Sequence, residues 1–125
     1  MSLRRTLPIL ALAGAAVALT ACATFQRGPV GNTAVPQPAQ AVDLNRYAGL
    51  WYEKVSFFGP FYVGDYWVLA RAEDYSWSIV GEPSGRYLWL LSRTPHPSPD
   101  VRDAILRRTR ELGYDLSMVR ETRQP

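Results

Sequence analysis

Apolar and polar positions divide this chain into four stretches of different character. Residues 7–19 form an apolar run of 13, short of the roughly 20 residues needed to cross a bilayer. Residues 24–41 mix Gly28, Pro29, Gly31, Pro36 and Pro38 with Gln and Ala and show no hydrophobic period. Such a stretch predicts a flexible tether, whose mean reach for 18 residues of coil is roughly 20–25 Å. From Val42 onward, short apolar and aromatic segments alternate with turn signals. Residues 50–58 end at Gly59-Pro60, and 66–72 follow Gly64-Asp65. Residues 77–81 follow the polar corner Ala72-Glu73-Asp74-Tyr75, and 87–93 follow Glu82-Pro83-Ser84-Gly85. Strands spaced by about 8–12 residues with Gly and Pro punctuation predict an antiparallel meander. Period two places Tyr87, Trp89 and Leu91 on one face of the last strand.

After Thr94-Pro95-His96-Pro97 the period becomes helical. Ser98 suits the N-cap, Pro99 the first helical position and Asp100 the positive end of the helix dipole, and Gly113 supplies a stop. Val101, Ala104, Ile105 and Leu112 share a face with Arg108 at its edge, so the helix is expected to pack on the sheet. Arg102, Arg107 and Arg110 are read as its solvated side, not as a site. The expected fold is mainly β: about five antiparallel strands and one C-terminal helix in a domain over residues 42–125.

The N-terminal stretch changes the reading of charge and compartment. Arg4 and Arg5 precede the apolar run, and the small residues Thr20 and Ala21 stand just before Cys22, the order of a signal peptide over residues 1–21. Leu19-Thr20-Ala21-Cys22 resembles the bacterial lipobox, which implies that Cys22 is acylated and anchors the mature chain. Ala23 stands where an Asp commonly directs retention in the inner membrane, so the expected location is the outer membrane, on its periplasmic side. Residues 22–41 are then the lipidated cysteine and its tether. The formal charge of +3 includes Arg4 and Arg5; without them 12 basic side chains face 11 acidic ones. A balance of +1 gives no electrostatic case for a nucleic-acid partner. Cys22 is the only cysteine, so no intramolecular disulfide can form and stability must come from packing.

Three ordered motifs then carry a family resemblance. Asn45-Arg46-Tyr47-Ala48-Gly49-Leu50-Trp51-Tyr52-Glu53 looks like the opening strand of a lipocalin, with that family's Gly-x-Trp at Gly49 and Trp51. Residues 66–81, with their corner, resemble the family's second motif, and Tyr87-Leu88-Trp89-Leu90-Leu91-Ser92-Arg93-Thr94-Pro95 its third. Together with the lipobox and trailing helix, the chain resembles the bacterial outer-membrane lipocalins and their apolipoprotein D relatives. The resemblance implies that Trp51 closes the floor of a barrel with Arg93 across its ring, a cation–π contact worth about 0.5–2 kcal/mol. Gly49, Trp51 and Arg93 would thus be a structural floor.

The resemblance also shows what is missing. Residues 43–97 number 55, enough for about five strands, whereas a lipocalin calyx takes eight. Trp51-Tyr52-Glu53 matches the first strand, while Lys54-Val55-Ser56-Phe57-Phe58-Gly59-Pro60-Phe61 resembles the fifth strand and the turn after it. Three strands are therefore cut between Glu53 and Lys54. The loss opens two sheet edges and an aromatic interior, which favours self-association. Two readings follow. A lipid-binding lipoprotein would hold a fatty acid or lysophospholipid, with Tyr66, Tyr87 and Trp89 as ligand-binding residues and a homodimer rebuilding the calyx. Alternatively, the chain is a binding-incompetent remnant or a tethered lipoprotein that uses its open edges for a partner. Catalysis is not expected: His96 is the sole histidine, Cys22 is committed to the anchor, and no nucleophile–base pair can be named. One His with scattered carboxylates gives no metal shell, and no cofactor is implied.

Overall fold

The computed structural model describes residues 29–57 and 64–124. The expected signal peptide, Cys22 and the Gly59-Pro60 turn lie outside the described residues. A single helical turn, α1 (Leu44–Tyr47), opens the domain, with the Asp43 carboxylate accepting from the Asn45 and Arg46 amides. The strands are β1 (Tyr52–Phe57), β2 (Trp67–Arg71), β3 (Trp77–Gly81), β4 (Leu88–Ser92) and β5 (Arg120–Glu121). Helix α2 (Pro99–Glu111) and a 3-10 turn (Leu116–Met118) separate β4 from β5.

The strands form one antiparallel sheet in the order β2-β3-β4-β1-β5. Consecutive hairpins give β2-β3-β4. Strand β1 then pairs with β4, so its sequence neighbour β2 lies at the far edge. The pairing of β1 with β4 shifts register between Glu53 and Val55. That irregularity falls where the sequence resemblance passes from a first to a fifth strand, and a bulge of this kind absorbs one extra residue at the cost of a local bend.

Pleating gives the sheet two different faces. Leu88, Leu90 and Ser92 pair with Gly81, Ile79 and Trp77 on the face that meets α2. There Ile79, Leu88, Leu90, Ile105, Leu112 and Tyr114 form the buried core. Tyr87, Trp89 and Leu91 point the other way, beside Val80 and Ser78.

The sequence signals for α2 are each used. Ser98 Oγ accepts from the Val101 amide at 3.4 Å, and Pro99 is the first helical residue. At the far end Gly113 adopts φ +95°. The Gly113 amide donates to the Arg110 carbonyl and that of Tyr114 to the Thr109 carbonyl, the paired bonds of a Schellman cap, whose left-handed position favours glycine. Thr109 is an unforeseen core residue: it is fully buried, and its hydroxyl donates to the Ile105 carbonyl at 2.8 Å.

Three expectations are corrected. The first strand begins at Tyr52, not at residue 50, and Leu50 is exposed. The fifth strand comes after the helix at Arg120–Glu121, outside the 55-residue window from which five were counted. Most consequentially, the flexible tether of residues 22–41 is docked over part of its length. Gly31 and Asn32 are buried, and Gln40 and Ala41 accept hydrogen bonds from Arg71. Residues 29–41, the described part of this segment, have no regular structure, as their lack of period implied. Its polar backbone nevertheless finds partners on the domain, which composition cannot reveal.

Candidate functional site

The sheet has two ends, and the strand directions assign residues to each. One is the corner end, with residues 72–76, α1, the start of β1 and the end of β4. The other is the turn end, with the β3–β4 turn over residues 82–87, the start of β2 and the C-terminus of α2.

At the corner end Arg93 is locked in place. Its guanidinium lies 3.7 Å from the centroid of the Trp51 ring. Its Nη1 donates to the Leu50 carbonyl at 3.0 Å. Nη2 donates to the carbonyls of Arg46 at 2.7 Å and Tyr47 at 3.0 Å, and Nε to that of Tyr75 at 3.3 Å. Two of these acceptors are the last carbonyls of α1, where a helix presents partial negative charge. The planar guanidinium can stack on indole and reach several acceptors at once, which an ammonium cannot. Trp51 is fixed from its own side, with Nε1 donating to the Tyr47 carbonyl at 2.8 Å. Gly49 sits at φ +101°, and a Cβ there would come within 3.3 Å of Arg93 Nη1. The glycine thus serves both the left-handed turn and the close approach.

Beside the Arg93–Trp51 contact lies Tyr75, whose part the sequence did not show. It has φ +61°, rare for a residue with a side chain. Its buried ring is flanked by the guanidiniums of Arg46 at 4.2 Å and Arg71 at 4.3 Å, and its hydroxyl accepts from the Asp43 amide at 2.9 Å. These contacts hold the strained backbone in place. The available signal was an aromatic residue closing a polar corner.

The three residues expected to meet a ligand are brought together on the face away from α2. Trp89 stands in the middle, its ring 6.4 Å from that of Tyr66 and 6.0 Å from that of Tyr87, with interplanar angles of 25° and 16°. Their partly stacked rings form a continuous aromatic surface. Tyr66 is 54% exposed. Tyr47, not singled out from sequence, extends this surface with a hydroxyl chain: its hydroxyl oxygen is 3.0 Å from that of Tyr66 and 3.0 Å from Ser78 Oγ. Burial and the Tyr47 bond push the Tyr66 phenol above the usual tyrosine range, so it is a neutral hydroxyl at physiological pH.

At the turn end the buried Glu82 carboxylate organises the β3–β4 turn. Oε1 accepts from Ser84 Oγ at 2.7 Å and from the amides of Arg86 at 2.8 Å and Tyr87 at 3.2 Å, while Oε2 accepts from the Ser84 amide at 2.7 Å. Burial alone would raise this carboxyl, but the hydrogen bonds outweigh it and hold it below the usual range. The bond to the Tyr87 amide fixes the residue that leads into the aromatic strand.

A separate groove of about 450 Å³ lies on the helix side, floored by Leu90, Ile105, Leu106, Leu116 and Val119. His96 and Arg102 stand at its edge, and Arg102 is ion-paired with Glu121.

An open antiparallel sheet with one helix-covered face, an aromatic opposite face and an Arg93–Trp51 contact at one end defines an incomplete lipocalin fold. Residues 54–124 match the lipocalin-like domain, and the chain belongs to that family, whose members are binding proteins rather than enzymes. The match begins at Lys54, the residue after the cut read from sequence. Over 65 residues the chain is 48% identical to the outer membrane lipoprotein Blc of Vibrio cholerae, covering 51% of this chain and 37% of that protein. It is 44% identical over 72 residues to the Blc protein of Escherichia coli K12, covering 58% and 40%. To temperature-induced lipocalin-1 of Arabidopsis thaliana it is 38% identical over 77 residues, covering 57% and 41%. The chain therefore spans about two fifths of the length of these relatives.

Proposed function

We propose that this chain is a lipid-binding lipoprotein, anchored through acylated Cys22 to the periplasmic side of the outer membrane, that holds a fatty acid or lysophospholipid against its aromatic sheet face. The observation that carries this reading is the convergence of Tyr66, Trp89 and Tyr87 into one stacked surface on the face that α2 leaves uncovered. An acyl chain gains by leaving water against such a surface, and the Tyr66 and Tyr47 hydroxyls, the latter also bonded to Ser78, offer hydrogen bonds to its polar end. Five strands cannot enclose a chain, so a second copy facing the first would complete the calyx. The names of the Blc relatives, outer membrane lipoproteins, support the location.

The open sheet favours a second reading, in which the chain is a binding-incompetent remnant or a tethered partner-binding lipoprotein. Sizing residues 24–125 and titrating them with a fluorescent fatty acid separates the two. A discrete dimer with saturable binding, weakened about tenfold or more by Trp89→Ala through loss of aromatic contact, supports the lipid carrier. A monomer without saturable binding refutes it.

A further inference from the structure

The N-terminal segment is pinned to one end of the sheet. The Gly31 and Asn32 amides donate to the Gly85 carbonyl at 2.9 and 3.2 Å, and the Asp115 amide donates to the Gly31 carbonyl at 2.9 Å. Asn32 Nδ2 donates to the Leu112 carbonyl at 2.8 Å, and its Oδ1 accepts from the Ala34 amide. Gly85 belongs to the β3–β4 turn and Leu112 caps α2, so every one of these bonds is at the turn end. Gly85 has φ +68°, and a Cβ there would collide with the Asn32 carbonyl. Only beyond this pin does the segment reach the corner end, where Gln40 and Ala41 meet Arg71 and Asp43 meets Tyr75.

Nine residue steps connect Cys22 to Gly31. They span at most about 30 Å, and roughly 15–18 Å as a coil. The corner end lies farther from this attachment by the length of a five-residue strand such as β3, about 17 Å.

Resting on the lipid-anchor reading of Cys22, we propose that the turn end of the sheet is its membrane-proximal surface, with the lipid bilayer as its partner. The starts of β2 and β4, which Tyr66 and Tyr87 immediately precede, then lie nearest the leaflet, and the Trp51–Arg93 contact lies on the side away from it. A ligand on the aromatic face exchanges directly with the bilayer by the short route. The orientation comes from the covalent leash and the pin at Asn32, not from charge. Arg86, Arg107, Arg108 and Arg110 toward the turn end are matched by Asp65, Glu82, Glu111 and Asp115, so salt should leave the orientation unchanged.

The test uses the full acylated chain in phosphatidylethanolamine–phosphatidylglycerol vesicles carrying a headgroup nitroxide. Pro83→Cys at the turn end and Glu73→Cys at the corner end, both exposed positions, are each labelled with a fluorophore while the thiol of Cys22 is acylated. Quenching is expected to be several-fold stronger at position 83, at low and high salt alike. Equal quenching, or stronger quenching at position 73, overturns the orientation. Gly85→Val, which removes the room for Asn32, should erase the difference between labels while the chain stays on the vesicles. The anchor reading is tested separately: Cys22→Ser should release the chain, and if that variant remains bound, the basis of the proposal fails whatever the labels report.

Discussion

Replacing Arg93 probes the floor most directly, because its guanidinium joins four carbonyls and one indole face. Arg93→Ala removes hydrogen bonds to Leu50, Arg46, Tyr47 and Tyr75 and the contact with Trp51. A hydrogen bond involving a charged group contributes about 1.5–3 kcal/mol when well placed, but these four share one partly exposed group, and water can reach some of the acceptors. The cation–π contact adds about 0.5–2 kcal/mol. We expect Arg93→Ala to destabilise the domain by about 3–4 kcal/mol. Arg93→Lys, which keeps the charge but cannot fork or stack, should cost about 2 kcal/mol. Chemical denaturation followed by Trp emission measures both, and at about 4–8 °C per kcal/mol for a domain this small the lysine variant should melt some 8–16 °C lower. A double-mutant cycle with Trp51→Leu isolates the ring contact, with an expected coupling of about 0.5–2 kcal/mol. A loss below about 1 kcal/mol for Arg93→Ala would refute the view that this residue locks the floor.

Gly49→Ala places a methyl group at φ +101° against Arg93 and should cost about 1–3 kcal/mol in the same denaturation assay. Glu82→Ala strands the Ser84, Arg86 and Tyr87 donors and should cost about 2–3 kcal/mol. Because the folded Glu82 carboxyl lies below its ordinary value of 4.5, its contribution is complete above that pH and fades as pH falls through the depressed folded value. Stability measured from pH 6 down to pH 3 should therefore decline less steeply in Glu82→Gln than in the parent. The Tyr114 hydroxyl is buried and has no hydrogen-bond partner among the described residues, so Tyr114→Phe should stabilise by about 1 kcal/mol; a melting point lowered by this change would show that the hydroxyl has a partner in solution.

Local chemistry was legible wherever it is written in consecutive residues. Ser98-Pro99-Asp100 and Gly113 marked the ends of α2 because capping needs particular side chains at fixed offsets. Turn clusters marked β2, β3 and β4 to within two residues, and alternation placed Tyr87, Trp89 and Leu91 on one face. Thr109 escaped because its hydroxyl is satisfied by its own helix, a bond that a list of apolar residues does not register. Tyr47 and Tyr75 escaped because their roles depend on groups some 30 residues away, Ser78 for one and Asp43 for the other.

Composition, motif order and period thus determined the family, the mainly β class with its trailing helix, and a strand count too small for a closed barrel. Each depends only on spacing along the chain. The tertiary structure alone decided that β1 joins the sheet beside β4, which face α2 covers, and that the segment before Val42 is fastened at Gly85 and Leu112. The reason is physical: burial and backbone pairing are settled between residues distant in sequence, and an irregular segment such as 31–41 carries no period to announce where its amides and carbonyls will find partners.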